Sequence, residues 1–326
     1  MSQQTLGSRW PIYVPGMNQC RSIELYAAIY ESGCIPSLVV DYQQGQNDIF
    51  FDILSEMVRL SKNDRMFSVT LFQHDLRDKE VLKAVMAAKP AYIEYWPSIS
   101  AGNNKPTQQD LQNGGQGFGE LENENIVRMV IQTLKKNSRV LMRVFERQYS
   151  KQEHLIDGYC LKSKYSAGRY GFHSNQDLLN IFCDTGKLLI PQGGIGTPRQ
   201  VRDLLAQGAS AVGIGTLFAA SQESPLSPEA KNKIISADKS NISQLDSRQN
   251  ALIFTENLMP FDQNDWNRTE SLKRGISNGE NGHLYVGTAI EHIDRIASVK
   301  DIVTYLTSDL KKIGSGEPIT IFGNKA

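Results

Sequence analysis

Between Leu188 and Phe218 the chain reads LLIPQGGIGTPRQVRDLLAQGASAVGIGTLF, which sets Gly193–Gly194 after one apolar run and Gly215–Thr216 after the next. Glycine lacks a Cβ, so a ligand can approach the backbone closely at such points. Thr197–Pro198 reads as the start of a helix, because proline suits a first helical turn. The N–H groups and positive dipole end of that helix face the loop before it. Thr216 adds a hydroxyl. Either pair alone serves equally well as a tight turn. Two such loops, each ending an apolar strand and separated by one helix, point to a clamp for a single phosphate.

Other chemistry-bearing residue types form no comparable pattern. Cys20, Cys34, Cys160 and Cys183 make no CxxC pair, and no Asp/Glu grouping has metal-ligand spacing, so no metal is expected. There is no G-x-S-x-G elbow for a hydrolase. Lys plus Arg and Asp plus Glu both number 35, so the net charge is zero and favours neither nucleic acid nor an anionic membrane. No apolar run approaches the roughly 20 residues that span a bilayer. The opening MSQQTLGSRWP lacks a secretory core, so a cytoplasmic location is expected. The expected partner is a small-molecule substrate, and a homodimer is left open.

Something must hold the two glycine loops side by side. Short apolar runs alternate with amphipathic helical patterns from PIYVPG onward. IPSLVVDY, FSVTLF, YIEYWPS, VLMRVF, GYCLKSK, KLLIPQGG and AVGIGTLF read as the further strands. The helices between them end with PEAKNKIISAD as the eighth, and the one after VLMRVF, at SKQEHLI, is weak. Repeated strand–helix units imply a parallel sheet, and eight of them make a TIM (β/α)8 barrel. In that fold the loops after strands seven and eight often hold phosphate. An open doubly wound sheet would carry its glycines near the first strand instead. Residues 98–122, after strand four, form a long Gly-, Asn- and Gln-rich loop expected to act as a lid. Residues 222–290 are expected to elaborate the barrel top within a single domain spanning 1–326.

The segment from Leu188 to Ala237 resembles the FMN-dependent nitronate monooxygenases, also called 2-nitropropane dioxygenases, and the related flavin-type enoyl-acyl carrier protein reductases. The shared features are the strand-seven glycine pair, the crossover helix, and a strand-eight GT-x-F followed by Glu-Ser. PIYVPGM and HLYVGTAIEHIDRIASVKDIVTYL resemble the family's first strand and C-terminal segment. The resemblance implies FMN, with Gly193, Gly194, Gly215 and Thr216 around its phosphate and Pro15, Gly16 and Met17 along its ring. Thr70 takes the place of a flavin-facing Asn, and Arg143 lies where relatives often carry Lys. FMN fits a single-phosphate clamp better than FAD, because no G-x-G-x-x-G opens the first unit.

One departure bears on the chemistry. The family's E-A-G-G-H-x-G segment corresponds here to YSAGRYGFH, residues 165–173. Aligned on Ala167 and Gly168, Tyr170 stands at the position of the family's proposed base, a His. A tyrosine with a reference pKa of about 10 donates protons more readily than it accepts them. His173 is the nearest alternative base, and His74, in LFQHDL, is a second. The implied activity is oxidation of nitronates or related carbanion-like substrates, which arrive already deprotonated. The alternatives are an ene or enoyl reductase with Tyr170 as proton donor, and a flavin-binding barrel with little turnover.

Overall fold

The computed structural model describes residues 5–40, 47–62, 64–97, 124–147, 153–246, 249–254, 268–277 and 282–311. The strands are β1 (Ile12–Val14), β2 (Ile35–Val39), β3 (Ser68–Phe72), β4 (Tyr92–Trp96), β5 (Arg139–Val144), β6 (Gly158–Lys162), β7 (Gly168–Arg169), β8 (Leu188–Gln192) and β9 (Val212–Gly213). All but β7 close a parallel barrel in chain order, with Ile12 opposite Val212 at the seam. This is the TIM-barrel fold expected from the strand–helix alternation.

Both faces of these strands are buried, which explains their near-continuous apolar runs. Outward residues such as Ile12, Val69, Leu71, Ile93, Met142 and Leu161 pack beneath the helices. Inward residues Tyr13, Ile35, Tyr92, Leu141, Cys160, Leu188, Ile190 and Ala211 form a separate cluster filling the lower barrel. Since side chains alternate, the next inward residues up the strands are Thr70, Glu94, Arg143, Lys162 and Gln192, and these are polar.

The helix Pro198–Ala206 begins where its sequence indicates. Thr197 Oγ1 accepts from Gln200 N at 3.2 Å, and Thr197 N donates back to Gln200 Oε1 at 3.1 Å, a reciprocal cap. Two readings of the outer ring change. After β5 the described chain forms only the 3-10 turn Glu153–Leu155 in place of the weak fifth helix. The eighth place in the ring belongs to helix Val299–Leu306, which packs between helices Ile23–Glu31 and Pro198–Ala206 and buries Val299, Ile302, Val303 and Leu306. Helix Pro228–Ser236 packs instead on helix Arg268–Ser277, within the elaboration.

That elaboration also contains an antiparallel sheet of β10 (Ile242–Asp246), β11 (Gln249–Phe254) and β12 (Gly282–Leu284). One edge of β11 pairs with β12 and, further along, with β7 from the loop after β6. The elaboration is thereby joined to the loop that carries Tyr170. Residues 98–122 lie outside the described residues. Among the described residues no helix is long and apolar enough to cross a membrane.

Candidate active site

The polar layer at the top of the barrel is built around Glu94, which is fully buried. One carboxylate oxygen accepts from Arg143 Nε at 2.6 Å. The other accepts from Tyr13 OH at 2.9 Å and Thr70 Oγ1 at 3.0 Å. Strand register creates this convergence, because Thr70 lies directly opposite Glu94 and both face inward. Burial pushes the Glu94 carboxyl up, but the Arg143 charge and the hydrogen bonds outweigh it and hold the pKa below the usual range. The Arg143 guanidinium also lies over the Trp96 ring, 4.2 Å from its centroid. Its Nη2 is buried and has no partner among the described residues.

Lys162 sits above Cys160 on β6 and opposite Gln192 on β8. Only 9% of it is exposed. Its Nζ donates to the Ala167 carbonyl at 3.0 Å, a contact with no charge to match its own. Burial, and next the Arg143 charge, lower its pKa to about 7. Both polar atoms of the buried Gln192 side chain lack a partner among the described residues.

The two glycine pairs occupy the adjacent strand ends. Gly193 and Gly194 have φ of +103° and +71°, a region that L side chains rarely adopt. A Cβ on Gly194 would fall 2.6 Å from Tyr165 Cβ and 2.8 Å from Thr288 Oγ1, so the loop after β6 requires glycine there. The carbonyls of this pair are held in place: Asn175 Nδ2 donates to Gly193 O at 2.8 Å and Gln200 Nε2 to Gly194 O at 3.2 Å. Gly193 N–H lies in the β8–β9 ladder, whereas outside the strand ladders the N–H groups of Gly194, Gly215 and Thr216 have no backbone acceptor among the described residues. At Gly215 an added Cβ would lie 3.3 Å from Met17 Sδ and 3.7 Å from Pro15 Cγ. At Gly16 it would lie 2.9 Å from Thr70 Oγ1. Pro15, Gly16, Met17, Thr70 and Gly215 therefore meet on one side of the mouth, and Arg143 reaches them through Glu94.

The loop after β6 is fastened to the strand-seven turn. Ser163 Oγ and Ser166 Oγ each donate to Gln192 O at 2.9 Å. Ser166, at the family's Glu position, thus serves as an anchor. Gly168, with φ +58°, lies in β7 opposite Asn250, and Asn250 Nδ2 donates to Ser166 O at 3.0 Å. Tyr170 and His173 are half-buried, and the His173 carbonyl accepts from Lys164 N at 2.9 Å. No described contact joins either side chain to the glycine pairs. His74 Nε2 lies 3.1 Å from Asp75 Oδ1 and stacks on Phe72.

The two glycine turns thus lie beside the buried layer of Glu94, Arg143 and Lys162, at the end of the barrel where TIM-barrel chemistry takes place. Residues 178–309 match the Nitronate monooxygenase family model. That span contains both glycine pairs, the helix between them and Thr288, so the likeness read from Leu188 onward holds beyond the quoted segment. No curated protein matches the chain. Among solved structures, FabK from Thermotoga maritima is 23% identical with a TM-score of 0.70, covering 94% of each chain. Nitroalkane oxidase from Streptomyces ansochromogenes is 16% identical with a TM-score of 0.66, covering 94% of this chain and 97% of its own. The enoyl reductase domain of MlnA, from the macrolactin biosynthesis cluster of Bacillus amyloliquefaciens, is 11% identical with a TM-score of 0.69, covering 94% of this chain and 95% of its own. These three likenesses establish the fold.

The span matched by the family model carries both glycine pairs, while Glu94, Arg143 and Lys162 lie on strands before it. Glu94, Lys162, Gln192 and Asn175 were not among the residues singled out from the sequence. The inward alternation along YIEYW and GYCLKSK was the available indication for Glu94 and Lys162.

Proposed function

We propose that the chain is an FMN-dependent oxidoreductase that oxidises nitronates or related small carbanion-like substrates. The observation that carries this reading is the set of N–H groups on Gly194, Gly215 and Thr216 without a backbone acceptor among the described residues, within the span that matches the family model. The residues present fit the cofactor. The N–H groups of Gly194, Gly215 and Thr216 and the Thr216 hydroxyl suit a phosphate, and Pro15, Gly16 and Met17, beside Gly215, would line the ring. The Gln192 amide is buried, with no partner for either polar atom among the described residues, and is available to ring heteroatoms. Bound flavin would supply two-electron oxidation of the substrate carbon, with dioxygen as the final acceptor.

The protein's own part is to hold and to balance charge. The clamp fixes the phosphate end. Arg143 and Lys162 would supply positive charge to balance the negative charge of a bound nitronate or reduced flavin. A nitronate needs no proton removed, so a tyrosine at position 170 does not prevent its turnover. A neutral nitroalkane needs a base, and Tyr170 is poorly suited to that task.

The test is a comparison of propyl nitronate with 1-nitropropane at pH 7.5. Nitronate turnover should greatly exceed nitroalkane turnover. Efficient use of 1-nitropropane, unchanged in Tyr170→Phe, would show that another group acts as the base. Oxidation of NADH or NADPH coupled to reduction of an activated alkene, without nitronate turnover, would favour the ene-reductase reading.

A further inference from the structure

We propose that Lys162 and Arg143 form a binding pair for a small planar oxyanion at the barrel mouth, and that binding the anion draws a proton onto Lys162. The choice of a nitronate- or carboxylate-like anion rests on the oxidoreductase reading. The charge argument does not.

Among the described residues, the upper interior layer of the barrel holds two basic side chains, Arg143 and Lys162, and one carboxylate, Glu94. Glu94 is committed to Arg143 Nε, Tyr13 and Thr70. Lys162 is left with a backbone carbonyl as its only described partner. Buried charges are ordinarily paired, because leaving water is costly. A protonated Lys162 would make the layer one positive charge in excess.

The donors that would receive an anion are already in register on neighbouring strands. Lys162 on β6 faces Gln192 on β8, and Arg143 on β5 faces Cys160, one inward step below Lys162. Arg143 Nη2 is buried and without a partner among the described residues. A planar XO2 anion can accept from the guanidinium edge and the ammonium together.

The groups whose charge reaches Lys162 are Arg143 on β5, Glu94 on β4 and Cys160 on its own strand. Tyr13, on β1, adjoins the layer through Glu94. Burial pushes both Tyr13 and Cys160 well above their ordinary pKa values, so both stay neutral below pH 9. That leaves Lys162, with its pKa lowered to about 7, as the member of this set that changes charge near neutrality. An anion beside it raises that pKa, and binding then takes up a proton.

The experiment titrates the purified full-length chain with sodium propionate, which is ionised throughout pH 6–9. Calorimetry in two cationic buffers of different ionisation enthalpy gives affinity and proton uptake, and the absorption spectrum records flavin content. Above pH 7 the affinity should fall about tenfold per pH unit, with on the order of one proton taken up per anion at pH 8. Lys162→Arg should retain binding but lose the pH slope. Lys162→Met should weaken binding at pH 6 by about tenfold or more. Thermal melts of both variants check folding. Affinity that is flat from pH 6 to 9 in the natural chain overturns the proposal, as does an absence of propionate binding. Uptake that persists in Lys162→Met also overturns it. A flavin-loaded protein without linked uptake sinks this inference alone. Linked uptake in a colourless protein that cannot be reconstituted sinks the flavin reading alone.

Discussion

Replacing Glu94 with glutamine tests the barrel's charged layer at its centre. The carboxylate accepts three hydrogen bonds, from Arg143 Nε at 2.6 Å, Tyr13 OH at 2.9 Å and Thr70 Oγ1 at 3.0 Å. Glutamine keeps the shape and some of the hydrogen bonding but removes the charge. Arg143, 4% exposed, would then be a buried cation with no carboxylate against it. Removing one partner of a buried ion pair costs about 3–5 kcal/mol. An unfolding entropy of about 2.1 cal/mol/K per residue over 326 residues comes to about 0.7 kcal/mol/K, so the melting temperature should drop by about 4–7 °C. Equilibrium urea unfolding gives the free energy, and circular dichroism gives the melt. Replacing both members, Glu94→Met with Arg143→Met, should recover most of the loss, because a packed apolar pair carries no desolvation cost. A single-variant cost below about 1 kcal/mol would refute the ion pair as the organising contact of this layer.

Gly215→Val should keep the fold, since a Cβ there meets two side-chain atoms, Met17 Sδ at 3.3 Å and Pro15 Cγ at 3.7 Å, but should abolish flavin retention, as absorbance at about 450 nm would show. Gly193→Ala should by contrast destabilise the protein itself, because φ is +103° and the new methyl would run into Ser166; a melt within about 1 °C of the natural chain would contradict the described turn. Lys162→Met should be more stable than the natural chain at pH 7, with the gap narrowing as pH rises. The unfolded lysine, near its ordinary 10.5, binds a proton across that range, whereas the folded one releases it above about 7. Each pH unit therefore adds up to about 1.4 kcal/mol to the natural chain, and urea unfolding at pH 7, 8 and 9 measures it. Tyr170→His should raise nitroalkane turnover relative to nitronate turnover by at most roughly 10²–10⁴-fold, and a fall in that ratio would remove position 170 from the substrate side.

The features legible in the sequence were those written locally. The cap Thr197–Pro198 and the glycine pairs are dictated by neighbouring residues, so their roles in turns could be read directly. The barrel followed from strands buried on both faces. The eighth ring helix was misplaced because PEAKNKIISAD and SVKDIVTYL are both amphipathic. Which one closes the ring depends on where the chain returns after the elaboration, and that is a tertiary fact. The sheet joining β7 to β11 leaves no mark in the sequence, because a two-residue strand has no periodicity. The Glu94 layer was hidden for a related reason. Thr70 and Arg143 were singled out by resemblance, but the carboxylate joining them lies on the strand between, in YIEYW, and its partners become apparent only through strand register.

The central claim is that the two glycine loops hold FMN, and the most direct measurement is identification of the cofactor released from the purified protein by heat. The account predicts a yellow protein with flavin absorbance near 450 nm, whose released cofactor co-elutes with FMN. A colourless protein that gains no bound FMN on reconstitution, or one that releases FAD, would contradict it.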